Sequence, residues 1–120
     1  MADPHTPTAA NHFQQLRNRQ NDLHRKNTQA LLAAARAQDI PLVDQLRSER
    51  AKLGQNDQMI FEAELEFQGS NLSQSEAESR LVAQTKEANR LVRAVETTAQ
   101  VLESAAKMAG ILRRLITLLA

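Results

Sequence analysis

The sequence predicts an all-α fold of elongated amphipathic helices, and three observations carry that prediction. Glycine and proline are scarce, with three of each in 120 residues and two of the prolines among the first seven, whereas sheet proteins need turn residues at regular intervals. Ala, Leu, Gln, Glu and Arg are abundant, and these residues lose least free energy on becoming helical. Apolar residues recur in alternating three- and four-residue steps over long stretches. With only Phe13, Phe61 and Phe67 as aromatics, the single modest core must be built by packing Ala- and Leu-rich helices on one another.

Residues 1–7 contain two prolines and little to bury, so they read as a disordered arm, leaving 8–120 as one helical domain. The first helix, 8–39, starts at a Thr8 cap and carries Phe13, Leu16, Leu23, Ala30, Ala34 and Ala37 on one seam. Gln20 and Asn27 fall on the same seam. As polar seam positions they are candidates for setting register or oligomeric state, together with Gln84 and Thr98 later in the chain.

Ile40-Pro41 ends the first helix, because proline disfavours helical geometry in the residue before it and lacks the amide an interior position needs. Asp39 caps a second helix, 41–53, with Leu42, Leu46 and Leu53 as its apolar stripe. Gly54 followed by Asn56 and Asp57 suits a stop and restart, although a helix running straight through would cost only about 1 kcal/mol. A kink or short break is expected there, with a further segment at 57–68. The chain then has three helices, or four if that segment stands apart. From Phe61 to Phe67 apolar and acidic residues alternate with the period of a strand. Helix is preferred, because no second segment alternates in this way to pair with it and Glu, Ala and Leu are strong helix formers.

Ser73-Gln74-Ser75-Glu76 fits a capping box that opens a last helix, 74–119. Its seam runs through Ala77, Leu81, Gln84, Ala88, Leu91, Val95, Thr98, Leu102, Ala105, Ala109, Leu112, Ile116 and Leu119 with no proline to interrupt it. Such a helix spans on the order of 70 Å, longer than either partner. Its end is therefore expected to overhang, and from Val101 onward its apolar arc is too broad for cover on one side alone. Met108, Ile111, Leu112, Leu115, Ile116, Leu118 and Leu119, flanked by Arg113 and Arg114, are the expected contact surface for a partner or a membrane.

The formal net charge of +1 hides an uneven layout. Residues 1–54 carry eight Lys/Arg against five Asp/Glu, residues 55–79 none against six, and residues 80–120 seven against three. An acidic middle between basic flanks suits folding back on those helices or meeting a neighbouring subunit. Interleaved acids and the lack of stacking aromatics count against nucleic acid.

No catalytic residue, metal site or cofactor is expected. His5, His12 and His24 fit no zinc or di-iron spacing, Glu62 and Glu66 lack the frame of a calcium loop, and no phosphate loop or serine elbow occurs. The absence of cysteine and of a conventional signal peptide suits the cytoplasm or export by another route.

The expected function is therefore a non-enzymatic interaction or assembly module that self-associates or binds a protein through the apolar face of its C-terminal helix. The alternative is a membrane-surface protein in which 101–120 lies as an amphipathic helix in the interface, with Lys107, Arg113 and Arg114 on anionic headgroups. The stretch Ala30-Leu31-Leu32-Ala33-Ala34-Ala35-Arg36-Ala37-Gln38-Asp39, followed by Leu42-Val43-Asp44-Gln45-Leu46-Arg47-Ser48-Glu49-Arg50, resembles the first helical hairpin of small flagellar and type III export chaperones. That resemblance implies binding of a partner's terminal helix along an apolar groove.

Overall fold

The computed structural model describes residues 1–120 and is all-helical: α1 Pro7–Arg36, α2 Ile40–Gly69, α3 Gln74–Ala94 and α4 Thr98–Leu119. Each helix begins where a side-chain oxygen can take an orphan backbone amide. Thr6 accepts from the Ala9 N–H, Asp39 from Leu42, Ser73 from Glu76 and Thr97 from Gln100. Pro7 and Pro41 lie in first turns, where a missing N–H costs nothing.

Four features differ from the sequence reading. The first 7 residues are not a free arm: Ala2 is buried, the Asp3 amide donates to Gln74 Oε1 at 2.8 Å, and the Thr6 hydroxyl donates to Glu78 Oε1 at 2.8 Å. Gln74 and Glu78 are one helical turn apart, so a single face of α3 ties the N-terminus down and Thr6 rather than Thr8 caps α1.

Second, α2 runs unbroken through Gly54. Leu46, Glu49, Leu53, Asn56, Ile60, Ala63 and Phe67 are all buried in alternating three- and four-residue steps, so the burial pattern outweighs the small cost of one exposed glycine. The alternation from Phe61 to Phe67 is thereby resolved: Ala63 and Phe67 face the core, while Phe61 and Leu65 face outward.

Third, the expected helix 74–119 is two helices. The chain leaves α3 at Val95, in extended conformation, and turns back at Thr97, where a complete capping box starts α4. Gln100 Oε1 accepts from the Thr97 amide at 2.9 Å, and Thr97 Oγ1 accepts from the Gln100 amide at 3.2 Å. Folding back covers the apolar arc of α4 with the chain's own helices. Fourth, at Ser73 only half of the expected box forms, because no returning bond joins the Glu76 side chain to the Ser73 amide.

The helices make a four-helix bundle, 53 Å long and about 20 Å across. Gln20 reaches Leu53 and Asn27 reaches Leu46, so α1 and α2 are antiparallel. Thr6 meets Glu78 and Lys26 meets Val95, so α3 runs parallel to α1, and α4 returns alongside α2. In cross-section the order is α1, α2, α4, α3, with α2 and α3 at diagonal corners. The α2–α3 link, 70–73, therefore crosses one end of the bundle. A cluster of 23 buried apolar residues fills the centre, with Phe13 and Phe67 edge to face at 5.5 Å.

The helices of the first hairpin have 30 residues each and those of the second 21 and 22. At 1.5 Å per residue the first hairpin is longer by ~12 Å. Lys26 on Val95 marks the level at which the second hairpin turns. Beyond it, roughly residues 30 to 43 project as a two-helix tip.

Candidate interaction surface

Of the residues expected to form a contact face on the C-terminal helix, Met108, Leu112, Leu115 and Leu119 are fully buried in the bundle's own core. Ile111, Ile116 and Leu118 are half-covered, and only Arg113 and Arg114 are exposed. The expectation of an uncovered face fails because it rested on a straight helix; once the chain turns at 95–97, the same residues become interior. For 101–120 to lie in a bilayer interface, α4 would have to leave the bundle. No helix is long and apolar enough to cross a membrane.

The seam residues sit in a polar ladder. Gln20 Nε2 donates to the Leu53 carbonyl at 2.7 Å and Asn27 Nδ2 to the Leu46 carbonyl at 3.0 Å, both buried. Two residues not expected on the polar seam, one of them Asn56 of the supposed helix restart, extend the ladder to α4. Glu49 accepts from the Ala105 amide at 2.8 Å, and Asn56 Nδ2 donates to the Ala105 carbonyl at 2.9 Å. Side chains of α2 thus hold both polar groups of one α4 residue. The signal that could have found them is the seam itself, since Glu49 and Asn56 fall in step with Leu46, Leu53 and Ile60. Gln84 is buried as expected of a seam position, whereas Thr98 is exposed at the start of α4.

The surface is uneven in its apolar content. Apart from Met1, the exposed large apolar side chains are Leu32 at 50%, Ile40 at 61%, Phe61 at 62% and Leu65 at 52%, and all four belong to α1 or α2. Leu32 and Ile40 lie on the projecting tip, beside exposed Ala33, Ala35, Ala37 and Pro41. Phe61 and Leu65 lie one turn apart on the outer face of α2.

Charge is uneven in the same sense. The acidic segment meets the basic first helix at Arg17–Glu64 and His24–Asp57, but Glu62 and Glu66 have no ion-pair partner. On the far side, an open groove of about 720 Å³ between α3 and α4 is lined by Leu91, Gly110 and Ile111 together with Arg90, Lys107 and Arg114. Arg90 pairs with Glu87 and Lys107 with Glu103, each within its own helix, while Arg114 has no acidic partner. No three His, Cys, Asp or Glu side chains come together as a metal-binding group.

Comparison with protein-family models, with curated proteins and with solved structures finds no match to this chain.

Proposed function

We propose that the chain is a non-enzymatic helical interaction module that engages a protein partner through its first hairpin rather than through its C-terminal helix. One observation carries this reading: all the exposed large apolar side chains after Met1 lie on α1 and α2, while the apolar face of α4 is spent on the core. A small bundle has no internal use for a leucine and an isoleucine at the end of a projecting tip, and clustered exposed apolar groups mark contact surfaces. The docking mode that fits two projecting helices is a partner helix laid along them, as the export-chaperone resemblance of residues 30–50 also implies. A membrane-surface role finds less support, since the helix it needs is packed inside.

The test is photocrosslinking from residues introduced at Leu32 and at Ile40, with the protein in the cells that make it. A discrete protein adduct is expected from both sites, and Leu32→Glu with Ile40→Glu should remove the interaction while leaving helix content unchanged. If neither position yields an adduct, the tip is solvent-facing and the reading is wrong.

A further inference from the structure

We propose that one partner of this module is a second copy of the chain, joined head to tail: the outer face of α2 on one copy docks in the α3–α4 groove of the next. The inference rests on the interaction reading above, in which the first hairpin makes the contact, and goes beyond it by giving α3 and α4 of the next copy the receiving groove.

Four observations support it. Phe61 and Leu65 supply an apolar pair on the outer face of α2, each more than half exposed. Glu62 and Glu66 flank that pair without cationic partners, in the stretch 55–79 that contains no Lys or Arg at all. The groove offers the complement: an apolar floor at Leu91 and Ile111, cations at Lys107 and Arg114, and Gly110, where even an added Cβ would meet nothing within 4 Å. Finally, α2 and α3 stand at diagonal corners of the bundle, so the acidic ridge and the basic groove point away from each other and cannot satisfy one another within a molecule.

Complementary patches on different sides of one molecule make a heterologous contact, which propagates from copy to copy instead of closing as a reciprocal pair. Opposite charges set face to face, with Glu62, Glu66 and Arg114 unpaired and Lys107 shared with Glu103, steer the encounter and fix its orientation, and the contact should weaken as salt screens it. The apolar pair seated on the groove floor then supplies the desolvated centre that an interface needs.

The experiment is sedimentation velocity on the full chain over a wide concentration range, at low and at high salt. Wild type should show a mass that grows beyond a dimer with concentration and falls back as salt is added. Glu62→Arg with Glu66→Arg reverses the ridge, and Lys107→Glu with Arg114→Glu reverses the groove. Each variant alone should associate at least about tenfold more weakly. Their mixture, in which each reversed surface meets its match, should regain association.

A wild type that stays monomeric at low salt, a mass that stops at a dimer, or a mixture that fails to recover while both variants keep wild-type helix content would each overturn the proposal. A photocrosslinker at Phe61 separates this failure from failure of the broader reading. An adduct of two chains joined at 107–114 supports the second copy. An adduct with a different protein overturns the second copy and leaves the interaction module standing. The absence of any adduct at 32, 40 and 61 overturns both.

Discussion

The two hairpins of the bundle hold themselves together by different means. In the first, α1 and α2 are joined by a turn that the sequence specifies twice, by a cap at Asp39 and a proline at Pro41, around a left-handed Gln38. Buried amides then bond across from Gln20 to Leu53 and from Asn27 to Leu46. In the second, the turn at 95–97 contains neither glycine nor proline, and the buried hydroxyls of Thr85 and Ser104 bond within their own helices, to Leu81 and Val101. A hydrogen bond to one particular carbonyl is satisfied at a single axial setting, whereas an apolar seam is nearly as well packed after a slip of one turn. The second hairpin therefore draws its register from its capping box and from the grip of α2 on Ala105.

The largest expected effect asks whether the better-specified hairpin can stand alone. Truncation after Gly110 removes Leu112, Leu115 and Leu119, all fully buried, and Leu112→Asp puts a carboxylate in their midst. Either change should exceed the ~5–15 kcal/mol that holds a domain together, or come close to it, and abolish cooperative unfolding. Circular dichroism during thermal unfolding checks this. A truncated chain that keeps its helix content and its transition would show that the first hairpin needs no cover from the second.

This outcome is not the one a sequence reading suggests, and the reason is physical. Between Ser73 and Ala120 every residue except Gly110 is compatible with helix, so local propensity cannot locate the turn. The turn is decided by burial, because a straight helix would leave Leu112 and Leu115 in water. One local signal was present in Thr97-Thr98-Ala99-Gln100, which has the spacing of a capping box but sits inside an apolar rhythm that hides it. Asp39 with Pro41, and Ser73, were legible because a cap or a proline acts locally. The all-helical class and the burial of Gln20 and Asn27 were legible from the three- and four-residue steps. The outward side of α2 was not: Phe61, Ala63, Leu65 and Phe67 are all apolar, and only the packed bundle decides which two face inward.

The second expected effect sharpens the contrast between the turns. Thr97→Ala with Gln100→Ala deletes the capping box and should cost about 2 kcal/mol, since the amides of Glu96, Thr97 and Gln100 all lose their partners. Urea titration measures the loss, and a shift under about 0.5 kcal/mol would mean that the turn holds without its cap.

The third takes the opposite sign. Asn27 donates to the carbonyl of Leu46, an interior helix residue, while its own Oδ1 is buried without a partner. Asn27→Leu removes that unsatisfied oxygen and adds apolar burial, so stability should rise by about 1 kcal/mol. The register role predicts a second consequence, namely more than one packed species by NMR or size-exclusion chromatography. A single species of higher stability would show that α1 and α2 are aligned by their turn alone, and a loss of stability would show that the hydrogen bond outweighs the orphaned oxygen.

The smallest expected effect lies in the first turn. Gln38 is the one non-glycine residue with positive φ, at 55°. Around it the Asp39 amide bonds to the Ala34 carbonyl at 3.0 Å and the Gln38 amide to the Ala35 carbonyl at 3.1 Å, the paired bonds of a Schellman ending. A side chain at this position crowds its own backbone by about 1 kcal/mol, which glycine avoids. Glycine also gives the unfolded chain more freedom and so returns part of that gain. Gln38→Gly should therefore stabilise by only about 0.5 kcal/mol, read as a small rise in the urea midpoint at constant slope. Gln38→Val should lower the midpoint, because a β-branched side chain tolerates the left-handed region worst. If glycine and valine shift the midpoint equally, the strain at Gln38 is absent and the first turn is set by Asp39 and Pro41 alone. It would then resemble the second, where the cap does most of the work.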